Sequence, residues 1–136
     1  MYFKDGNRYE GDWKGGKIEG KGIFYFKDGA KYEGDWKNDK KEGKGLYYYN
    51  NGDKYEGVWK NEKREGKGNY FYHNKDSCKG NWINDLKEGM GTMILSNGEK
   101  YEGEWKDDVR EGKGIWSIHS KDLANKAIKN YKNYYR

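Results

Sequence analysis

Apolar and polar residues alternate along most of this chain, and the alternation restarts every 23 residues. In the first unit, Tyr9, Gly11 and Trp13 alternate with Glu10 and Asp12. That period of two predicts a strand with one ring-bearing face and one acidic face. Residues 14–17, KGGK, read as a turn. The run 19–26, EGKGIFYF, keeps the alternation around two glycines and carries bulky β-favouring residues, so it predicts the return strand. Residues 27–29, KDG, close the unit, because Asp-Gly supplies the positive φ that tight hairpins need. Each unit is one β-hairpin, and successive hairpins are expected to pair into a single antiparallel sheet.

The register never breaks. Gly11, Gly34, Gly57, Gly80 and Gly103 are each followed two residues later by Trp13, Trp36, Trp59, Trp82 and Trp105, and seven residues on by a Gly-x-Gly pair. A fixed period of this length marks a repeat array, in which each unit buries its apolar side only against its neighbours. Glycine inside a strand costs roughly 0.5–1 kcal/mol relative to alanine. A compensating gain is that a ring on the neighbouring strand can lie flat over the bare backbone, so Tyr and Trp are expected to stack along the glycine rows. Each hairpin advances the sheet by roughly 10 Å, and its twist should coil the array into a rod or trough. The expected fold is all-β: an elongated, single-layer antiparallel sheet of 23-residue hairpins with a short C-terminal helix. Residues 1–118 form the array, with a partial repeat at 1–8 and units starting near Tyr9, Tyr32, Tyr55, Cys78 and Tyr101. Residues 119–136 form a basic amphipathic tail.

The segments YEGDWKGGKIEGKG, YEGDWKNDKKEGKG, YEGVWKNEKREGKG and YEGEWKDDVREGKG resemble the MORN repeat, whose pattern is Tyr-x-Gly-x-Trp, a turn and Gly-x-Gly. The resemblance covers residues 1 to about 118. Two departures bear on turn geometry more than on fold. Asp39, Glu62, Asp85 and Asp108 stand where the turn often has Gly, and Glu19, Glu42, Glu65, Glu88 and Glu111 stand where many members carry His. The resemblance implies a non-catalytic scaffold or protein-docking module, as in cytoskeletal or ciliary assemblies. It also leaves open a peripheral membrane module that binds anionic phospholipid, or a targeting segment of a larger enzyme.

Composition changes this picture in three ways. Charged residues make up 38% of the chain and mean hydropathy is −1.47, values typical of disordered chains. Yet six Trp, fourteen Tyr and four Phe at fixed slots can hold together a thin, narrow core. Net charge is +5, of which the tail holds four: Lys121, Lys126, Lys129, Lys132 and Arg136 stand against Asp122. Lys and Glu alternate along the repeats, which argues against a nucleic-acid-binding face. Cys78 is the single cysteine, no apolar run approaches a membrane span, and the N-terminus lacks a secretory signal. The expected location is cytoplasmic, free or associated with cytoskeleton, cilium or membrane.

No arrangement of Ser, Cys, His or carboxylate has the spacing of a catalytic or metal site, and the glycines open no helix that would make a phosphate loop. No catalytic residue, cofactor or metal is expected. Candidate function lies on surfaces. On the return strands Ile23, Tyr25, Leu46, Tyr48, Phe71 and Ile94 face away from Phe24 and Phe26. This apolar strip must be covered by curling and lysine stems, by self-association, or by a protein partner. In the tail, Leu123, Ala127, Ile128, Tyr131 and Tyr135 recur at helical spacing. That helix either caps the last hairpin or sets Lys126, Lys129, Lys132 and Arg136 on an anionic membrane. The Glu19-to-Glu111 row, with Lys21, Lys44, Lys67 and Lys113 two residues on, reads as a solvated, edge-protecting face. In the fourth unit Cys78 takes the Tyr slot, Lys79 the Glu slot and Lys75 a turn glycine, which predicts a looser turn and a gap in the rings. Finally, MYFKDG repeats FYFKDG, so the chain opens on a return strand without its partner. The expectation is a piece of a longer array or an edge used for end-to-end association.

Overall fold

The structure, a computed structural model, describes residues 1–117, and for 109–113, 116 and 117 the backbone alone. Ten strands follow one another: β1 (Arg8–Lys14), β2 (Lys17–Tyr25), β3 (Lys31–Lys37), β4 (Lys40–Tyr48), β5 (Lys54–Lys60), β6 (Lys63–Phe71), β7 (Ser77–Ile83), β8 (Leu86–Ile94), β9 (Lys100–Lys106) and β10 (Val109–Ser117). They make one open antiparallel sheet in sequence order, roughly 45 Å across at about 4.8 Å per strand. The expected C-terminal helix lies outside the described residues.

Glycine organises the core face. Gly11 pairs with Gly22, Gly22 with Gly34, Gly34 with Gly45, and the row continues through Gly57, Gly68 and Gly80. The rings of Tyr9, Tyr32 and Tyr55 lie over this row, so closely that a Cβ on Gly22, Gly45 or Gly68 would overlap the tyrosine hydroxyl. Those hydroxyls donate to the carbonyls of Asp12 and Asp35 (3.0 Å each) and Val58 (3.3 Å). The first glycine of each Gly-x-Gly has a different task. Gly20, Gly43, Gly66 and Gly89 hold φ between 73° and 83°, opposite the register slip that follows the first-strand glycine. Only glycine enters that left-handed bulge without steric penalty.

Among the described residues, tryptophan lies against the glycine row only at Gly91, where Trp105 approaches it in the unit that lacks the tyrosine; the expected stacking is otherwise by tyrosine. Trp36 and Trp59 stand edge-on between two tyrosines, their own hairpin's and the preceding one's: Trp36 between Tyr32 (5.0 Å) and Tyr9 (5.8 Å), Trp59 between Tyr55 (5.3 Å) and Tyr32 (5.5 Å). The edge-to-face arrangement suits the ring quadrupoles. It also lets the indoles of Trp36 and Trp59 donate to the carbonyls of Gly22 and Gly45. At Cys78 the row of rings has the expected gap, and the buried side chains fall into two clusters on either side of it.

The turns hold although glycine is missing from them. Asn38-Asp39, Asn61-Glu62, Asn84-Asp85 and Asp107-Asp108 all take φ between 48° and 73°, close to the 58° and 77° of Gly15-Gly16 in the first hairpin. The second residue of each turn reaches the preceding hairpin. The carboxylates of Asp39, Glu62, Asp85 and Asp108 accept the backbone N–H of Ile18, Lys41, Arg64 and Lys87 at 2.5–2.7 Å. From the other side, Glu19, Glu42, Glu65 and Glu88 accept the N–H of Asn38, Asn61, Asn84 and Asp107 at 2.6–3.1 Å. The glutamate row is therefore a set of clasps between repeats and not merely a solvated face. A left-handed non-glycine residue costs about 1–2 kcal/mol, and a hydrogen bond to a charged group contributes about 1.5–3 kcal/mol, so the clasp outweighs the strain. Asp39→Ala, which keeps the strain and loses the clasp, is expected to lower stability by about 2 kcal/mol in urea unfolding. Asp39→Gly should lose less, and equal losses would show that the strain is absent.

The loops between hairpins also repeat. The N–H of Phe26 donates to the carbonyl of Ala30 at 2.9 Å, and Tyr49 to Asp53, Tyr72 to Asp76 and Leu95 to Glu99 do the same within 0.1 Å. The loop at Lys75 is not looser than the others. Lys75 adopts φ 79° and keeps the bond to the Tyr72 carbonyl at 3.0 Å, because Asn74, Asp76 and the next loop lock it in place. At the N-terminus, Met1 and Tyr9 exchange two backbone bonds of 2.9 Å and Phe3 stacks on Phe24, so residues 1–3 pair with the outer edge of β1.

Candidate functional site

Register divides the candidate partner residues into two rows on the face opposite the tyrosines. In one row Tyr25, Tyr48 and Phe71 alternate with the cations of the neighbouring strands. The Arg8 guanidinium lies 3.9 Å from the Tyr25 ring, the Lys31 ammonium 4.5 Å from Tyr48, and the Lys54 ammonium 4.7 Å from Phe71. These rings are covered from within the sheet by cation–π contacts. Ile94 ends the row between Ser77 and Lys100 and stays exposed. In the second row Ile23 and Leu46 alternate with Glu10, Glu33 and Glu56.

Beside that second row runs a groove of about 1010 Å³ that crosses the strands from Glu33 on β3 to Glu102 on β9. Its floor is the bare backbone of Gly45, Gly57, Gly68, Gly80 and Gly91, the side of the glycine row that the tyrosines leave open. One requirement of the fold, glycine under tyrosine, thus makes the groove on the other face. Its walls carry apolar Leu46, Val58 and Met90, the cations Lys44, Lys67 and Lys79 and the carboxylates Glu33, Glu56 and Glu102. In the second hairpin's first strand, Asp35 holds the Lys21 ammonium at 2.8 Å. Val58 and Asn81 occupy the slot of Asp35 two and one hairpins from the end, so Lys44 and Lys67 face no carboxylate across those pairs.

The MORN repeat model matches residues 9–31, 32–54, 55–77, 78–100 and 101–120 in unbroken succession. The chain belongs to the MORN repeat family. MORN repeats are generally non-catalytic modules that bind proteins or membranes. Comparison with curated proteins gives no match.

Within this MORN array the repeat-defining residues Tyr9, Gly11, Trp13, Gly34, Trp36, Gly57, Trp59, Gly80, Trp82, Gly103 and Trp105 belong to the framework. The groove residues Val58, Asn69 and Asn81 carry no motif and were not singled out by the sequence pattern. The signal that finds them is departure from the repeat when units are aligned across the sheet. The fourth hairpin departs most. Three slots that hold lysine in the first three repeats become Ile83, Leu86 and Met90, which are 53%, 36% and 60% exposed. The result is an apolar break in three lysine rows, on the same hairpin that lacks the tyrosine.

Other ionisable groups of the MORN array serve the framework. Lys41 is buried between the rings of Phe26, Tyr32, Tyr47 and Trp59, at 5.5–6.0 Å, with its ammonium 2.7 Å from Glu62. Arg64 repeats the arrangement against Tyr55, Tyr70 and Asp85. Burial works to raise the Asp53 carboxyl, but hydrogen bonds from Tyr70 (2.7 Å) and His73 outweigh it and hold the group below the ordinary aspartate range. Burial pushes the Cys78 thiol up, the opposite of a reactive cysteine. Among the described residues, no group of three or more His, Cys, Asp or Glu is placed to hold a metal, and no helix is long and apolar enough to cross a membrane. Lys126, Lys129, Lys132, Arg136 and His119 lie outside the described residues.

Proposed function

We propose that this MORN array is a non-catalytic scaffold that docks a protein partner in the glycine-floored groove, within a cytoskeletal or ciliary assembly on the cytoplasmic side. The observation that carries the reading is the groove itself. Its apolar wall residues, Leu46, Val58 and Met90, sit in an otherwise heavily charged surface, where the cation–π pairs already cover the neighbouring rings. An exposed apolar patch rimmed by polar groups is a common mark of an interaction site. The array spans residues 1–118, and the tail 119–136 supplies either a cap or an anionic-lipid contact.

Restoring the residues of the other repeats tests this directly. In Val58→Asp with Met90→Lys, each new side chain already occurs at its slot elsewhere in the array, so the fold should persist by circular dichroism. The groove would gain two charges, and proteins cross-linked to the full chain in cell extract should be lost at least tenfold, as expected for buried-charge mismatch at an interface. Unchanged cross-linking, with salt-sensitive flotation on phosphatidylserine liposomes that depends on residues 119–136, would instead establish the membrane module.

A further inference from the structure

Antiparallel pairing places four side chains around each glycine pair on the groove face, and the composition of these squares varies along the array. Between β2 and β3 the square is Lys21–Asp35 with Ile23–Glu33, and between β4 and β5 it is Lys44–Val58 with Leu46–Glu56. Between β8 and β9 it is Met90–Glu104 with Thr92–Glu102. Each of these holds at least one carboxylate. Between β6 and β7 the square is Lys67–Asn81 with Asn69–Lys79: two ammonium groups, two amides and no acid. None of these four side chains makes a hydrogen bond or ion pair with another described residue, and Lys67, Lys79 and Asn81 are exposed. The square lies in mid-groove, with Val58 and Glu56 of β5 on one side, Glu56 opposite Asn69 and Leu46 one strand further, and Met90 and Thr92 of β8 on the other.

We infer that the β6–β7 square receives an acidic side chain of the partner, from a peptide segment that carries an apolar residue on either side of that acid. The inference rests on the docking reading above and specifies the partner's chemistry. Two ammonium groups and two amide N–H donors converge on an anion, while the amide oxygens leave room for its flanking backbone N–H. The apolar flanks Val58 and Met90 lie about 7 Å away, one and a half strand spacings, and Leu46 about 12 Å; an extended peptide covers the nearer distance in two to three residues. The expected motif is therefore apolar, two or three positions, Asp or Glu, two or three positions, apolar. Charge excludes this chain's own tail as occupant, since residues 119–136 carry five cations and one acid. The bare glycine floor between these side chains favours a linear chain, which can enter it, over a flat bilayer.

Selection of random twelve-residue peptides displayed on phage against the full chain tests the motif. Selected peptides are expected to share the acid between apolar residues. Synthetic copies should bind Lys67→Glu/Lys79→Glu at least about tenfold more weakly, yet bind Lys14→Glu/Lys17→Glu, reversed on the same face outside the square, as they bind the native chain. Peptides without an acid, or with equal affinity for the Lys67→Glu/Lys79→Glu chain, overturn the inference. If those peptides still lose affinity in Val58→Asp/Met90→Lys, groove docking stands and only the partner's chemistry is wrong. Failure to select any peptide, or loss of phosphatidylserine-liposome flotation in Lys67→Glu/Lys79→Glu, overturns the inference in favour of a lipid surface.

Discussion

Gly68→Ala is expected to unfold the middle of the array. A Cβ at Gly68 would overlap the hydroxyl and ring edge of Tyr55, which is fully buried and bonded to the Val58 carbonyl. The ring has no free direction, because Trp59 and Trp82 stand edge-on against it at 5.3 and 5.2 Å. Overpacking of this kind costs about 1–3 kcal/mol, and loss of the hydroxyl's bond adds about 1 kcal/mol more. Their sum is a large part of the roughly 5–15 kcal/mol that keeps a domain folded. Gly91 holds the same slot in the fourth unit, where Cys78 replaces the tyrosine. A Cβ there meets its nearest atoms at 3.1 Å, which asks for a shift of a few tenths of an ångström. Gly91→Ala should therefore be far milder than Gly68→Ala in urea unfolding followed by tryptophan fluorescence. Equal losses would mean that the glycines serve strand geometry alone and that tyrosine does not dictate them.

Trp59→Ala is expected to cost about 3–5 kcal/mol, the range for removing a buried aromatic side chain, whereas Trp13→Ala should cost about 1 kcal/mol or less. The two residues hold the same position in the same motif. Trp59 is 4% exposed between Tyr55 and Tyr32, while Trp13 is 40% exposed and touches only its own hairpin's tyrosine, Tyr9, at 5.2 Å. The difference is the preceding hairpin, which supplies the second wall of every later tryptophan site. Similar losses for the two variants would show that the stack contributes little, and that each hairpin is stable by itself.

The hairpins, their order and the role of glycine were legible because each depends on local spacing. Period two sets the faces, and a repeated Tyr-x-Gly-x-Trp sets the register from unit to unit. The turn at Lys75 was expected to be looser and is not, and the geometry at Asp39 and Glu62 was left open by the sequence. Glycine's absence looked like a weakness, but the partner of each turn lies 19–21 residues away on the adjoining hairpin. The glutamate row was misjudged for the same reason. Its bonds run to backbone N–H groups of the next unit, which side-chain charge patterns do not reveal.

The sequence by itself determined that this protein is a one-dimensional MORN array, since a 23-residue hairpin pattern has a single way to bury its rings, against its neighbours. Tertiary structure alone decided which side chains line the groove proposed to receive a partner. Val58, Asn69, Asn81 and Lys79 come from three strands and stand out only when pairing brings them to one groove. The side chains that pair across the groove's squares are 10 to 14 residues apart in the chain, and pairing, not sequence adjacency, sets which charges are compensated.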